Sequence, residues 1–341
     1  MKASVDTIGN LTEPVDLIVC AGFEDRAPRA AEILDAMGIR AGKVLILTYG
    51  GEAHAESHRR LSVVCRRLVE NETDLSEVGA FEFDGIRKWI STFAEKRHLL
   101  VCDITGLSRI SMFAVLSILR QECQRFWLLY TEAERYYPTE PQFLNLLRDD
   151  EMNEAFFKLS KYEETEIVYS GKCRVEELPG FEGNHLPNYP LMLIAFLTFK
   201  RSRLGAILRE YEASVRVLIK SAPVRADLQW RERAMETINF DLIEDNRNSI
   251  FSLETLDWRQ TFSLLEQLHK RRNNRYRYNF LLAPLGSKMQ TIGAWVFAVR
   301  NTDVKVVTST PEKLFPSKYS IGYKTTFLID DLWEEVGTFD R

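Results

Sequence analysis

Five cysteines in 341 residues form no CxxC pair. Structural zinc sites and disulfide scaffolds need denser, closer-spaced thiols, so Cys20, Cys65, Cys102, Cys123 and Cys173 read as reduced core thiols and no metal is expected. Long hydrophobic runs are lacking as well: no window holds about 18 uncharged apolar residues, and the opening MKASVDTIGNLTEPVD has no signal-peptide core. The expectation is a cytoplasmic protein with no membrane partner. A charge excess of either sign is also missing. A net charge of −4 gives no general attraction to nucleic acid, so any anion must be held by local clusters and nucleic-acid binding is not the expected role. Gly22 with Glu24 after the first apolar run does not make GxGxxG, so the dinucleotide fingerprint is absent and no cofactor is expected. There is no low-complexity segment and no long linker.

What is present is the composition of a globular chain, 45% hydrophobic and 28% charged, long enough for two domains. From Val15 short apolar runs alternate with amphipathic stretches. DLIVCAG (16–22), KVLILTY (43–49), AFEFD (80–84), LLVCDI (99–104) and FWLLYT (126–131) read as strands, with helical spacing between them. Near-continuous apolar strands alternating with helices imply a parallel sheet covered on both faces. The second half repeats this order at offsets of roughly 160–180 residues. LMLIAFLTF (191–199) answers the first run, VRVLIKSAP (215–223) the second, INFDLIED (238–245) the third, FLLAPLGSK (280–288) the fourth and VKVVTSTPEKLFP (304–316) the fifth. The predicted fold class is α/β: two tandem Rossmann-like, doubly wound, mostly parallel sheet domains related by internal duplication. Their expected bounds are 1–150 and 188–341, joined by a bridging segment, 151–187, that adds a helix and an extra strand, EIVYSG (166–171).

In such sheets ligands bind beyond the carboxyl ends of the strands, where helix N-termini present unpaired N–H groups. The loops there carry Gly22, Glu24 and Arg26 after the first strand, Asp103, Thr105, Gly106, Ser108 and Arg109 after the fourth, and Thr131 after the fifth. In the second half Gly286, Ser287 and Lys288 follow the equivalent strand. Hydroxyls, glycines and fixed cations are the inventory of a phosphate or nucleotide site. A nucleophile with a matched base is missing. Each loop has a plainer reading too. DITG caps a helix, with glycine supplying a positive φ; GFEDRAPR pairs its own charges on the surface. His54 and His58, at i and i+4, have no evident third metal ligand, and the basic run HKRRNNRYRYN (269–279) fits a helix C-terminus.

The strand ending in DITGLSR, followed by an apolar helix, resembles the ligand loop of CARF domains, and two fused units resemble the SAVED arrangement, in which paired CARF-like halves bind a cyclic nucleotide second messenger in bacterial defence. Asp103, Thr105, Gly106, Ser108 and Arg109 fit that pattern. The second copy departs from it, because Ala283 and Pro284 stand where the Asp and its neighbour would be, so only Gly286, Ser287 and Lys288 carry over. The resemblance implies a nucleotide-type anionic ligand, with a cyclic oligonucleotide as one form of it, sensed in an antiphage defence system, with the effector a separate partner protein. Two other readings stand beside it: a phosphoribosyltransferase-like or other nucleotide-processing enzyme, and a non-catalytic adaptor subunit.

Overall fold

Strands that are apolar on both faces nucleate each of two six-stranded sheets. The computed structural model describes residues 15–92, 99–123, 125–148, 172–312 and 319–332. In the first unit β1 (Val15–Ala21) is buried at every position and pairs in parallel with β2 (Ala41–Thr48) and β4 (Leu99–Asp103). β3 (Leu75–Gly79) extends the sheet beyond β2, and β5 (Phe126–Thr131) beyond β4, again in parallel. The crossovers are α1 (Arg29–Ala36), α2 (Glu52–Leu68), α3 (Phe83–Ser91) and α4 (Arg109–Glu122). With the order β3-β2-β1-β4-β5, right-handed crossovers put α1 and α2 on one face and α3 and α4 on the other. The packing of α1 on α2 and of α3 on α4 follows that division. Under α1 and α2 the core gathers Leu17, Val19, Leu34, Val44, Ile46, Leu61, Val64 and Leu68.

The sixth strand of this sheet comes from the far end of the chain. β14 (Thr326–Ile329) runs antiparallel to β5, and β6 (Arg135–Tyr136) pairs with β13 (Ser320–Ile321). The first compact unit therefore comprises residues 1–137 and 316–341, and the second residues 138–315. This division differs from the bounds expected from sequence, because β14 closes the first sheet and β13 pairs with β6 instead of extending a domain at 188–341.

In the second unit α5 (Glu140–Arg148) precedes a sheet of β7 (Cys173–Glu177), β8 (Leu191–Phe196), β9 (Val215–Ala222), β10 (Asn248–Glu254), β11 (Asn279–Ala283) and β12 (Val304–Pro311). Its order is β10-β9-β8-β11-β12-β7, with β7 antiparallel to β12 and the rest parallel. The helices are α6 (Arg201–Glu210), α7 (Trp230–Ile238), α8 (Phe240–Glu244), α9 (Trp258–Lys270) and α10 (Lys288–Arg300). α10 is buried continuously from Met289 to Ala298, as expected of a helix covering the middle of a sheet. Both units are thus mostly parallel, Rossmann-like α/β sheets.

Two expected strands are corrected. AFEFD (80–84) is a turn leading into α3, and the strand is the preceding LSEVG; INFDLIED (238–245) is helical, and the strand is NSIFSLE after it. Both true strands are sheet edges with polar, partly exposed positions, whereas the apolar clusters that attracted the assignment are helix faces. The expected strand EIVYSG lies outside the described residues; β7 begins just after it. Cys20, Cys65, Cys102 and Cys123 are buried and form no disulfide, and burial pushes the thiols of Cys65 and Cys123 up to about 12, so these two stay protonated and inert. Among the described residues no helix is long and apolar enough to cross a membrane.

Candidate functional site

In the order β3-β2-β1-β4-β5 the chain reverses direction of growth between β1 and β4, and the loops leaving these two strands flank the ligand crevice typical of such sheets. Here the two loops touch. A Cβ on Gly22 would lie 2.7 Å from Gly106 Cα and 2.9 Å from its carbonyl oxygen; one on Gly106 would run into the Cys20 carbonyl and stand 2.9 Å from Gly22 N. Only a glycine pair permits this approach. Gly106 does not take the positive φ expected for it; its lack of a side chain serves proximity instead.

The DITGLSR loop is braced from beneath. Asp103 Oδ1 accepts from Thr105 N at 2.9 Å and from the Thr105 hydroxyl at 2.5 Å, an Asx turn that ends β4. The same hydroxyl accepts from Thr131 N at 2.8 Å, tying β4 to β5, and Thr131 Oγ1 lies 2.9 Å from Thr326 Oγ1 on β14. Asp103, Thr105 and Thr131 are all buried. Ser108 is the N-cap of α4 and accepts from Ser111 N at 3.1 Å, and Arg109 opens the helix. The N–H of Ser108 donates to the hydroxyl of Tyr49 at 2.5 Å, and that hydroxyl lies 3.3 Å from Ser111 Oγ. Burial raises the Tyr49 pKa far above its ordinary value, so the phenol keeps its proton.

Arg26 is placed differently from the reading as surface charge. It is buried, with Nη1 donating to Thr131 O at 2.6 Å and to Tyr130 Oη at 3.2 Å, while Nε and Nη2 reach Glu24 at 3.1 and 3.0 Å. Burial opposes its charge, but Glu24 and the ring oxygens of Tyr130 and Tyr136 outweigh it and raise the guanidinium pKa. Arg26 thus fastens the β1 loop to the end of β5. The rest of GFEDRAPR is held by the returning segment: Ser320 donates to Glu24, Gly322 N donates to Asp25 at 3.0 Å, and the Arg29 guanidinium sits 4.3 Å from the Tyr323 ring centroid. Arg29 also pairs with Glu32 at 3.6 Å.

Sequence reasoning missed an aromatic row at the carboxyl ends of β1, β2 and β3. Phe23 lies 4.8 Å from Tyr319 and 5.9 Å from His54; Tyr49 lies 5.1 Å from His54 and 5.4 Å from Phe81 (ring centroids). His54 and His58, weighed together as a metal pair, diverge: His54 Nδ1 bonds the Ala21 carbonyl at 3.1 Å and His58 Nε2 meets Glu77 at 3.1 Å. The basic run 269–279 precedes β11, at the amino ends of the strands and away from the carboxyl-end loops of its own sheet.

The second unit fills the corresponding place. Ile18 pairs with Leu45 and Cys102, and Ile194 with Val217 and Leu282; matching Ile18 to Ile194 therefore sets Tyr49 against Ser221 and Gly22 against Thr198. Counting from the N-caps Ser108 and Ser287 sets Ser111 against Gln290. The large and small members of this pair have changed places. Gln290 Oε1 accepts from Ser287 N at 3.0 Å and from Ser221 Oγ at 2.9 Å, completing a capping box, and its amide reaches the Leu253 and Glu254 carbonyls at 3.3 Å. Ser287 Oγ donates to Thr255 O at 2.5 Å, Gly286 faces Phe196 and Gln290, and Lys288 opens α10.

No protein-family profile and no curated protein matches this sequence. Among solved structures, a type III CRISPR defence DNA nuclease activated by cyclic oligoadenylate matches with a TM-score of 0.52 at 12% identity, over 86% of this chain and 65% of the nuclease. The two chains share a fold. This chain spans about two thirds of the nuclease's length. A universal stress protein in complex with cAMP (18% identity, TM-score 0.22, 35% of this chain and 98% of its own) and a leucoanthocyanidin reductase with NADPH from Vitis vinifera (11%, 0.23, 84% and 88%) are too distant in shape to bear on the site.

Proposed function

We propose that the first unit binds a nucleotide-type anion at the carboxyl ends of β1, β2 and β4, and that the protein is a CARF-like sensor in antiphage defence acting on a separate effector. The observation that carries this reading is the glycine-to-glycine approach of the β1 and β4 loops, braced by Asp103, Thr105 and Thr131, at the point where such sheets take ligands. The same place in the second unit is closed by Gln290. The fold shared with a nuclease activated by cyclic oligoadenylate supports a cyclic oligonucleotide as the ligand. In this reading Gly106 and Ser108 present backbone and hydroxyl groups to phosphate, and Arg109 supplies the countercharge. Asp103, Thr105, Glu24, Arg26 and Thr131 set the loops from below. Gly286, Ser287 and Lys288 form a degenerate counterpart.

Calorimetric titration with cyclic tri-, tetra- and hexa-adenylate and with mononucleotides tests it. Arg109→Ala is expected to weaken the ligand that binds by about 1.5–3 kcal/mol, the scale of a lost charge-assisted hydrogen bond, and Lys288→Ala by less. Unchanged affinity in folded Arg109→Ala would return CDITGLSR to a strand turning into a capped helix.

A further inference from the structure

Eight residues between α9 and β11, KRRNNRYR (270–277), hold five basic residues and no acid in a chain whose net charge is −4. The dipole of α9 accounts for little of this. That helix ends at Lys270, and a helix dipole acts within the last turn, whose basic residues are His269 and Lys270. Arg271, Arg275 and Arg277 lie beyond it. Their side chains are not needed to cap the helix either: the Arg271 backbone N–H donates to the Gln267 carbonyl, and Asn274 Nδ2 donates to the Leu268 carbonyl at 2.8 Å. The Asn274 carbonyl in turn accepts from Arg277 N at 2.8 Å and Tyr278 N at 3.0 Å, which fixes the turn into β11.

The turn is thus built by backbone and amide bonds, and its cations face water. Arg271, Arg275 and Arg277 are exposed. Of these three and Lys270, only Lys270 forms an ion pair among the described residues, with Glu266 one helical turn back. Asp303, the acid near Arg275, is engaged by His269 at 2.8 Å. The Arg275 guanidinium lies 4.6 Å from the Tyr276 ring centroid and donates to its hydroxyl at 2.6 Å, yet Tyr276 leaves 61% of its surface in water. An exposed ring held beside a cation is a platform for another planar group. Asn279 fastens a second exposed loop to the same strand end, its N–H donating to the Pro190 carbonyl at 2.9 Å and its amide to the Leu186 and Tyr189 carbonyls at 2.9 and 3.4 Å. Tyr189 there is 42% exposed.

We propose that this turn, through Arg271, Arg275, Tyr276 and Arg277, is a binding surface for single-stranded nucleic acid, with phosphates on the guanidinium groups and an unpaired base on the Tyr276 ring. Arginine suits both tasks, because its planar fork takes phosphate oxygens in pairs and stacks on aromatic faces. A duplex offers phosphates but keeps its base faces stacked, and an acidic peptide offers carboxylates with no need of a stacking ring. The exposed Tyr276 therefore selects single strands. The surface shares no residue with the anion site of the first unit and stands or falls apart from it.

The test follows the anisotropy of labelled oligo(U) and oligo(dT) with the full chain, beside a duplex of equal length, polyglutamate and phosphatidylserine vesicles. The single strands are expected to bind more tightly than the duplex, and the tighter of the two names the preferred sugar. With one phosphate per arginine, at about 0.7 each, the logarithm of the binding constant should fall with that of salt at a slope of about −2. Replacing Arg271, Arg275 and Arg277 together by alanine should flatten that slope. Tyr276→Ala should weaken binding roughly five- to hundredfold, the effect of one stacked base, and leave the slope in place. All four residues are exposed, so both variants should keep the wild-type unfolding midpoint. A duplex bound as tightly as the single strands, or oligonucleotide affinity unchanged in Tyr276→Ala, overturns the proposal. Polyglutamate or vesicles bound in place of the oligonucleotides, or no oligonucleotide binding at low salt, overturns it equally.

Discussion

Replacing Gly106 by alanine should cost the first unit about 2–3 kcal/mol, the upper part of the range for forced overpacking of a well-filled site. The added methyl collides with the Cys20 carbonyl and stands 2.9 Å from both Cys20 C and Gly22 N, all of them backbone atoms. Neither side yields easily. Cys20 lies in β1, where it pairs with Leu47 of β2, in a strand buried throughout. The opposing loop is fixed by Asp103 to Thr105, by Thr105 to Thr131 and by Ser108 to Tyr49. For a unit of this size, roughly 2–4 °C per kcal/mol gives a fall of about 4–12 °C in the transition of the first unit. The assay is urea and thermal unfolding, with Gly38→Ala as the control. Gly38 has φ +70° but open space where its Cβ would go, so its substitution carries only left-handed strain of about 1–2 kcal/mol. If Gly106→Ala proves no more costly than Gly38→Ala, the close approach is not a constraint and the glycine-pair argument fails.

Arg26→Met should destabilise by roughly 3–5 kcal/mol, because Glu24 loses its buried partner; Arg26→Lys should recover little of this, since an ammonium cannot span Glu24 and the Thr131 carbonyl together. Wild-type unfolding midpoints in both variants would show that Arg26 is not a fastener. Gln290→Leu should cost about 2–4 kcal/mol, since it strands Ser287 N–H, the Ser221 hydroxyl and the Leu253 carbonyl in a buried place; chemical denaturation showing under about 0.5 kcal/mol would remove the lock argued for the second unit. Asp303 is partly buried, which by itself raises its pKa, but the hydrogen bond from His269 at 2.8 Å outweighs this and holds it below the usual carboxylate range. Its stabilisation is therefore present above about pH 4 and is lost as pH falls through the depressed value, so the urea midpoints of wild type and Asp303→Asn should differ at about pH 7 and converge toward about pH 2. A pH-independent difference would contradict the pairing.

The central strands were legible in the sequence because β1, β2, β4 and β5, with β8, β9, β11 and β12, are apolar on both faces. The edge strands LSEVG and NSIFSLE were not, since half-exposed edges carry polar residues and lose the contest to nearby amphipathic helices. The DITGLSR loop announced itself through residue types confined to a few positions. The role of Arg26 did not, because Thr131 and Tyr130 lie more than a hundred residues away. Tyr49 read as the last residue of a strand, and only the fold shows its hydroxyl serving a helix cap in another crossover. The capping box of Ser287 and Gln290, by contrast, stood in plain spacing as SKMQ and was passed over.

The late arrival of β14 sets a timetable for synthesis. When β5 leaves the ribosome its outer edge has no partner, and the strand that will cover it is encoded beyond the whole of the second unit. At about 5–20 residues per second the wait is on the order of 10–40 s. During that interval the Thr131 hydroxyl lacks Thr326, the Glu24 carboxylate lacks Ser320 and an unpaired strand edge is open to other nascent chains. The β1 loop, which flanks the candidate site, is thus among the last parts of the first unit to become fixed.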